Sequence, residues 1–535
     1  MANLLENHKY DLIFGLSICI ITFLVYANSL GNGFVWDDDI VILANPLLKG
    51  SPVTLFSEID RGHATGVTPY YRPFTLLSFL LDGKFHGFDA LYVRLVNVLL
   101  HAATAFLVYR LAVSLKIDRI AAILAGLLFA VHPLQSEAVD FNSARNTLLA
   151  TFFVVAAYLV HQWSHTHKSF AGSLAGASLF LSGLFSKEIA VGILPFIAAI
   201  ELENTQSENR NSLQKGFVRL LPYLAGLAFY LILRNNALSR AGASLDIFPG
   251  LMGRQLDNVY ILPRYLLNVV WPRFLSPRYF LPDDFNLYAL PLVLAWVCIV
   301  GMFWWFVTGG RSRVTLFGLA WLIAFWLPVS GIIPIPSAHL ADRYLYTPAI
   351  GIWLIVADQF SMLILCRAQL RRWGIIAAAV IVVALAVVTV KRNQIWKNDI
   401  TLFTDIVEMY PDQALGYDSL GCAYLDTEHD IDRAEKLFER AYTLNPAFPR
   451  LSTQMGYVRF LRGDLQGALE HYNQAIYRNS LDAEALLNRG VVLERLGRYS
   501  DAVDSYRRFL TTPGNELPEA RRVMPAKIVE LSRKS

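Results

Sequence analysis

The stretch GIIAAAVIVVALAVVTV, residues 374 to 390, carries no charge over seventeen residues, and the chain changes character across it. As a helix it is about 26 Å long, close to the roughly 30 Å of a bilayer's hydrocarbon core. Toward the N-terminus similar runs recur, beginning with LIFGLSICIITFLVYA at residues 12 to 27, and toward the C-terminus the sequence turns polar. The 535 residues are 55% hydrophobic, 13% aromatic and 17% charged, too apolar for an ordinary soluble enzyme. The chain therefore reads as an all-α polytopic membrane protein with a soluble C-terminal part. The first run lacks a small-residue cleavage site after it, which marks a retained anchor rather than a signal peptide.

Short basic linkers orient the spans. RLAVSLKIDR (110–119), HQWSHTHK (161–168), ENTQSENRNSLQKG (203–216), TGGRSR (308–313) and CRAQLRR (366–372) separate apolar runs, and the positive-inside rule assigns them to the cytoplasm. Eleven spans satisfy this pattern, at roughly 11–29, 90–112, 119–133, 146–162, 169–185, 188–202, 216–234, 287–308, 314–333, 345–365 and 373–391. The first starts inside and the last ends outside. Residues 258–280 compete as a twelfth, but Pro263, Arg264, Pro272 and Arg273 fit an interfacial or re-entrant piece on the outer face. With a net charge of +4 and no basic amphipathic face, nucleic acid is not an expected partner. Cys19, Cys298, Cys366 and Cys422 match no metal or redox spacing and read as packing residues.

From about residue 395 the sequence repeats with a period of 34 residues. Gly456 recurs as Gly490, Ala434 as Ala468 and Ala502, Phe438 as Tyr472 and Tyr506, and Ala441 as Ala475, while Pro446 ends the first unit. Small residues at these places let two antiparallel helices approach closely, and the aromatic fills the gap to the next pair. This is the tetratricopeptide pattern. A half-repeat, three repeats over about 412–514 and a terminal capping helix account for residues 395–535, leaving 1–394 as the membrane domain. The first repeat departs from the pattern, with Cys422 at the small-residue position and Gly421 one place early; an inserted residue near TEHDID explains the shift. Such arrays hold peptide segments, so a protein partner or acceptor is expected here, with a purely structural or dimerising array as the alternative.

The first outer loop, residues 30–89, opens with GFVWDDDIVI at 33–42, three carboxylates among aromatic and aliphatic neighbours. Ionisable groups held at a membrane interface point to function. The string contains the D-x-D of many nucleotide-sugar transferases, but no doubly wound fold surrounds it and nucleotide-sugars are not expected on the outer face. A transport site would sit at the midplane with inverted repeats, and none is found. Glycosyl transfer from a lipid-linked sugar phosphate fits better. Phosphate is already a good leaving group, so this chemistry needs one carboxylate base on the acceptor hydroxyl and cations on the phosphate. Adjacent aspartates supply the base, and their mutual repulsion raises one of the two pKa values.

The other outer loops supply cations and partners: Arg72 in YYRPF, His132, Glu137 and Arg145 in HPLQSEAVDFNSAR, Lys187 and Glu188 in SKE, and His339, Asp342, Arg343, Tyr344 and Tyr346 in HLADRYLYTP. Taken singly each has a bland reading, as an interface anchor, a short-loop charge or a helix terminator. Their collection on the aspartate side is what random placement would not give.

The strings NGFVWDDDIVILANP, YYRPFTLLSF, VRLVNVLLHAATAFLVYRL, LLFAVHPLQSEAV, GLFSKE and RYLYTPA, followed by the repeats, resemble the transmembrane and tetratricopeptide-repeat O-mannosyltransferases that modify cadherins. The resemblance covers nearly the whole chain in order. It implies a GT-C-like bundle, a catalytic acidic pair in the first outer loop and lumenal repeats. The pair falls on Asp37 and Asp38, with Asp37 as base and Asp38 as its orienting or acceptor-binding partner. Arg72, His132, Glu137, Arg145, Lys187, Glu188, Arg343 and Tyr346 are then the donor phosphate- and sugar-binding candidates. VDFNSARNTLL (139–149) departs from the family, which shows a tryptophan-containing stretch with a Gly-Arg pair there, so acceptor or sugar specificity is open. The donor expected is a polyprenyl phosphate sugar, with mannose or a similar sugar. No cofactor is called for, although a divalent metal is compatible with the aspartates. Few repeats and no sequon in the outer parts favour a bacterial inner membrane with periplasmic repeats over an endoplasmic reticulum membrane with lumenal ones. The competing expectation is a catalytically inactive, membrane-anchored repeat scaffold for envelope assembly.

Overall fold

In a computed structural model, residues 2–60, 70–203, 210–240, 251–280, 290–308, 312–330, 340–512 and 517–534 are described. These residues are helical throughout apart from loops and one bridge, between Asp60 and Tyr70. They form two compact units, one ending at Asn398 and one running from Asp399 onward.

In the first unit five helices are long and apolar enough to cross a membrane: Tyr10–Ser29, Ala90–Ser114, Asn142–Thr166, Gln214–Arg240 and Ala368–Lys397. The pair Arg119–Val131 and Pro133–Asp140, bent by 48°, makes a sixth if it counts as one span. The bend has a local cause. Pro133 has no N–H to give the preceding turn, and His132 Nδ1 starts the next turn by accepting from the Leu134 N–H at 3.2 Å. Shorter apolar helices cover Phe170–Ser186, Arg313–Val329 and Ala349–Leu365. The span expected over 188–202 is broken: Glu188–Ile193 is a 3-10 segment, and Leu194–Glu203, about 15 Å long, is too short to cross alone. The helices Arg313–Trp326 and Ala349–Phe360 meet at two glycines, and a methyl group on Gly318 would lie 2.6 Å from the Gly351 carbonyl oxygen. Close backbone approach through small residues is how helices associate in lipid.

The ends of the bundle differ. At one end Asp11 takes Arg110 at 3.1 Å and Arg119 at 3.3 Å, and Glu201 takes His161, His165 and Arg219, so basic linkers collect there. Along Ala90–Ser114, Arg94 stands about 24 Å from Arg110, at the opposite end. That is the aspartate end. The last helix finishes there too, because Asn32 Nδ2 donates to the Asn393 carbonyl and the Gly33 N–H to that of Lys397, each at 2.9 Å.

The second unit is a series of antiparallel helix pairs, Ala414–Ala423 with Ile431–Leu444, Leu451–Leu461 with Leu465–Arg478, and Ala483–Arg495 with Tyr499–Thr511, closed by Pro518–Ser532. Gly456 packs so closely under Tyr472 that a Cβ would sit 2.8 Å from the ring. In the first pair the equivalent place belongs to Gly421, whose Cβ would meet Phe438 at 2.6 Å, and not to Cys422. The inserted residue is absorbed downstream, where Tyr424–Glu428 is a π turn.

Candidate active site

The apolar residues after the aspartates fold the first loop onto a helix of its own. Val41, Ile42, Leu48 and Leu55 form one buried cluster with Leu76, Phe79 and Leu80 of the helix Pro73–His86. The aspartates occupy the turn that enters this cluster. Arg94, fully buried, clamps the base of the loop: its guanidinium donates to the carbonyls of Asn32, Gly33 (2.8 Å) and Asp140 (3.2 Å).

The two aspartates have opposite surroundings. Asp38 is wholly buried and its carboxylate accepts four hydrogen bonds: from the Val35 N–H at 3.2 Å, Asn142 Nδ2 at 3.0 Å, the Ser143 N–H at 2.8 Å and Ser143 Oγ at 2.6 Å. Burial pushes its pKa up to about 6, against the lowering effect of Ser143 and Arg94. Burial, rather than the repulsion between neighbours expected from the sequence, is the leading cause. Asp37 is partly accessible, and its carboxylate makes no hydrogen bond among the described residues; only its backbone carbonyl is engaged, by Ile40 and Val41. Arg278 and Arg343 both lie within electrostatic reach of it.

The cations arrive from three further loops. Arg343 pairs with Glu137 through its guanidinium and, at 2.9 Å, through its own N–H. Arg72 pairs with Glu188 at 3.1 Å, lies 4.0 Å above the Tyr70 ring, and keeps a buried Nε with no partner among the described residues. Lys187 donates to Thr147 Oγ1 at 2.8 Å and faces the Tyr344 ring at 5.5 Å, while Arg343 lies 5.3 Å from the same ring. Burial lowers the Lys187 pKa to about 7, helped by the charges of Arg72 and Arg343. Arg72, Lys187 and Arg343 thus stand with two carboxylates, Glu137 and Glu188, and of the three Arg343 lies within electrostatic reach of Asp37.

Three expected donor contacts turn inward instead. Arg145 is fully buried, with Nε on Asn97 (2.7 Å), Nη1 on Asp82 (2.5 Å) and Nη2 on the Val93 carbonyl (2.6 Å), which leaves no edge of its fork for a ligand. His132 uses both ring nitrogens, with Nε2 donating to the Val269 carbonyl at 2.9 Å. Tyr346 donates from its hydroxyl to His101 Nδ1 at 2.8 Å, since His101 Nε2 is committed to the Ala130 carbonyl. Of the remaining outer-loop residues, Asp342 accepts from the Tyr279 hydroxyl at 2.6 Å, and His339 lies outside the described residues. Sequence reasoning missed Arg94, Asn142, Ser143 and Arg278. An arginine inside a predicted span and a divergent NSAR stretch were the available clues. Among the described residues no group of three or more His, Cys, Asp or Glu side chains is arranged to hold a metal ion.

Comparison with known proteins bears on both units. The tetratricopeptide-repeat family model matches residues 419–480 and 453–516, so the second unit carries tetratricopeptide repeats. Over 442 residues, 79% of this chain, the sequence is 27% identical to a protein of Caenorhabditis elegans. A human protein is 24% identical over 475 residues, 79% of this chain, and a Drosophila melanogaster protein 24% over 586 aligned positions, 94% of this chain. All three are protein O-mannosyl-transferases. The resemblance seen in the motifs therefore extends through the membrane domain, and these relatives are glycosyltransferases. The chain spans only 61%, 50% and 59% of their respective lengths.

Proposed function

We propose that this chain is a membrane glycosyltransferase that moves mannose or a similar sugar from a polyprenyl-phosphate donor to a hydroxyl of a protein acceptor on the outer face. One observation carries the reading: the Asp37 carboxylate has no hydrogen-bond partner among the described residues and lies within electrostatic reach of Arg278 and Arg343, whereas its neighbour Asp38 is saturated. A carboxylate with a purely structural role would be bonded as Asp38 is. Asp37 takes the proton of the acceptor hydroxyl; that oxygen forms the bond to the anomeric carbon, the bond from carbon to phosphate oxygen breaks, and the electron pair leaves on the phosphate. Arg72, Lys187 and Arg343 receive the leaving charge. Asp38 fixes the loop, and the repeats hold the acceptor chain. The full reading keeps eleven crossings, the one over 188–203 made by the 3-10 segment and the helix Leu194–Glu203 together, with the repeats on the same outer face as the aspartates, in a bacterial inner membrane or, in a eukaryote, facing the lumen.

The test is transfer of labelled mannose from mannosyl polyprenyl phosphate by the purified chain. Transfer that survives Arg343→Ala unchanged would remove Arg343 from the phosphate grip and make Lys187 the next residue to examine. A fully active Asp37→Asn, Asp38→Asn double variant would end the transferase reading and leave the scaffold alternative.

A further inference from the structure

Trp36 directly precedes the proposed base and stands in a left-handed backbone conformation, with φ of 55°. Among side-chain-bearing residues this region suits asparagine or aspartate; for a bulky aromatic residue it is an outlier that the surrounding structure must hold in place. Glycine would occupy the position without that strain. Such outliers collect at functional sites, so the indole is worth an explanation. It stacks on Phe141 at 5.6 Å with the ring planes 23° apart, and Phe141 stacks in turn on Trp396 at 5.7 Å and 23°. Phe141 and Trp396 are buried, while Trp36 keeps part of its surface accessible. The Arg343 guanidinium lies 5.8 Å from the Phe141 ring, which ties this stack to the cation cluster.

We infer that Trp36 is the platform for the donor sugar, a hexopyranosyl group resting its C–H face on the indole. The inference rests on the transferase reading proposed above. A base that deprotonates the incoming hydroxyl acts within one oxygen of the anomeric carbon, so an aromatic side chain adjoining Asp37 meets the sugar before it meets the lipid chain or the body of the acceptor. A pyranose presents an apolar C–H face and a hydroxyl edge, and the site offers an indole beside carboxylate and guanidinium groups. The strained turn sets the indole next to the base, and the Phe141–Trp396 stack keeps it from turning away.

The test compares binding of two lipids, mannosyl polyprenyl phosphate and sugar-free polyprenyl phosphate, to the full chain in nanodiscs. Trp36→Ala should weaken the sugar-bearing lipid about 10-fold, the scale of one good stacking contact, and leave the sugar-free lipid unchanged. Trp36→Tyr should recover most of the loss, and Trp36→Gly, which relieves the backbone, should bind like Trp36→Ala. Equal weakening of both lipids would show that Trp36 only supports the loop, and no change in either would remove it from the site; both results overturn the inference. A parent protein that binds neither lipid would instead overturn the donor reading on which it depends.

Discussion

Two adjacent aspartates should fail in opposite ways. Asp38→Ala deletes the acceptor of four hydrogen bonds in a wholly buried place. Bonds to a charged acceptor contribute about 1.5–3 kcal/mol each, and the cost of burying the charge takes much of that back, so the net loss is about 3 kcal/mol. In thermal unfolding of the detergent-solubilised protein this appears as a midpoint several degrees lower at a fixed scan rate, with activity falling because the loop detaches. Asp37→Asn deletes no hydrogen bond among the described residues and should change stability by no more than about 0.5 kcal/mol, yet cut transfer by about 10²- to 10⁴-fold. The Asp38 latch also has a pH signature. The Asp38 pKa of about 6 lies above its ordinary 3.8, so protonation favours the folded form as pH falls from 6 toward 4, and that stabilisation is lost as pH rises through 6. The loop therefore stays latched at pH 5. Equal destabilisation by both substitutions, or an Asp37→Asn variant of normal activity, would refute this division of roles.

Three other outcomes follow from the same geometry. Lys187, with its pKa lowered to about 7, is charged below that pH and neutral above it, so the donor KM should rise between pH 6 and 8, and Lys187→Met should abolish that dependence. Arg145→Ala leaves Asp82 buried and unpaired and should lower stability by about 3–5 kcal/mol, while adding Asp82→Ala should restore part of it, as a double-mutant cycle on unfolding midpoints would show. A periplasm-active reporter should be active when fused after Lys397 and inactive after Arg313; the reverse would place the repeats and the site on the inner face.

Periodicity and composition made the architecture legible, because apolar run length and a 34-residue repeat are properties of the chain itself. Even the irregular first repeat could be traced to an insertion, although the residue that fills its small position is Gly421 and not Cys422. Spans were less legible where they are not one continuous helix. The run at 188–202 reads as one helix in sequence, yet Lys187 and Glu188 are tied to Thr147 and Arg72, and a 3-10 segment begins there before the helix Leu194–Glu203. For the site, charge placement identified the loops that converge but not which way each side chain turns. Arg145 and Arg343 look alike in sequence; one is enclosed by Asn97, Asp82 and Val93, and the other stands with Glu137 near Asp37. The supports of Asp38 were hidden for a related reason. Asn142 and Ser143 are more than a hundred residues away and matter only through hydrogen bonds that folding creates.

The most direct measurement follows labelled mannose from mannosyl polyprenyl phosphate onto a protein acceptor, using purified parent and Asp37→Asn chains at equal amounts and verified folding. Transfer by the parent with a loss of about 10²-fold or more in the variant is the expected result. Equal transfer by the two chains, or none by the parent with a donor it demonstrably binds, would contradict Asp37 as the base of a sugar transferase.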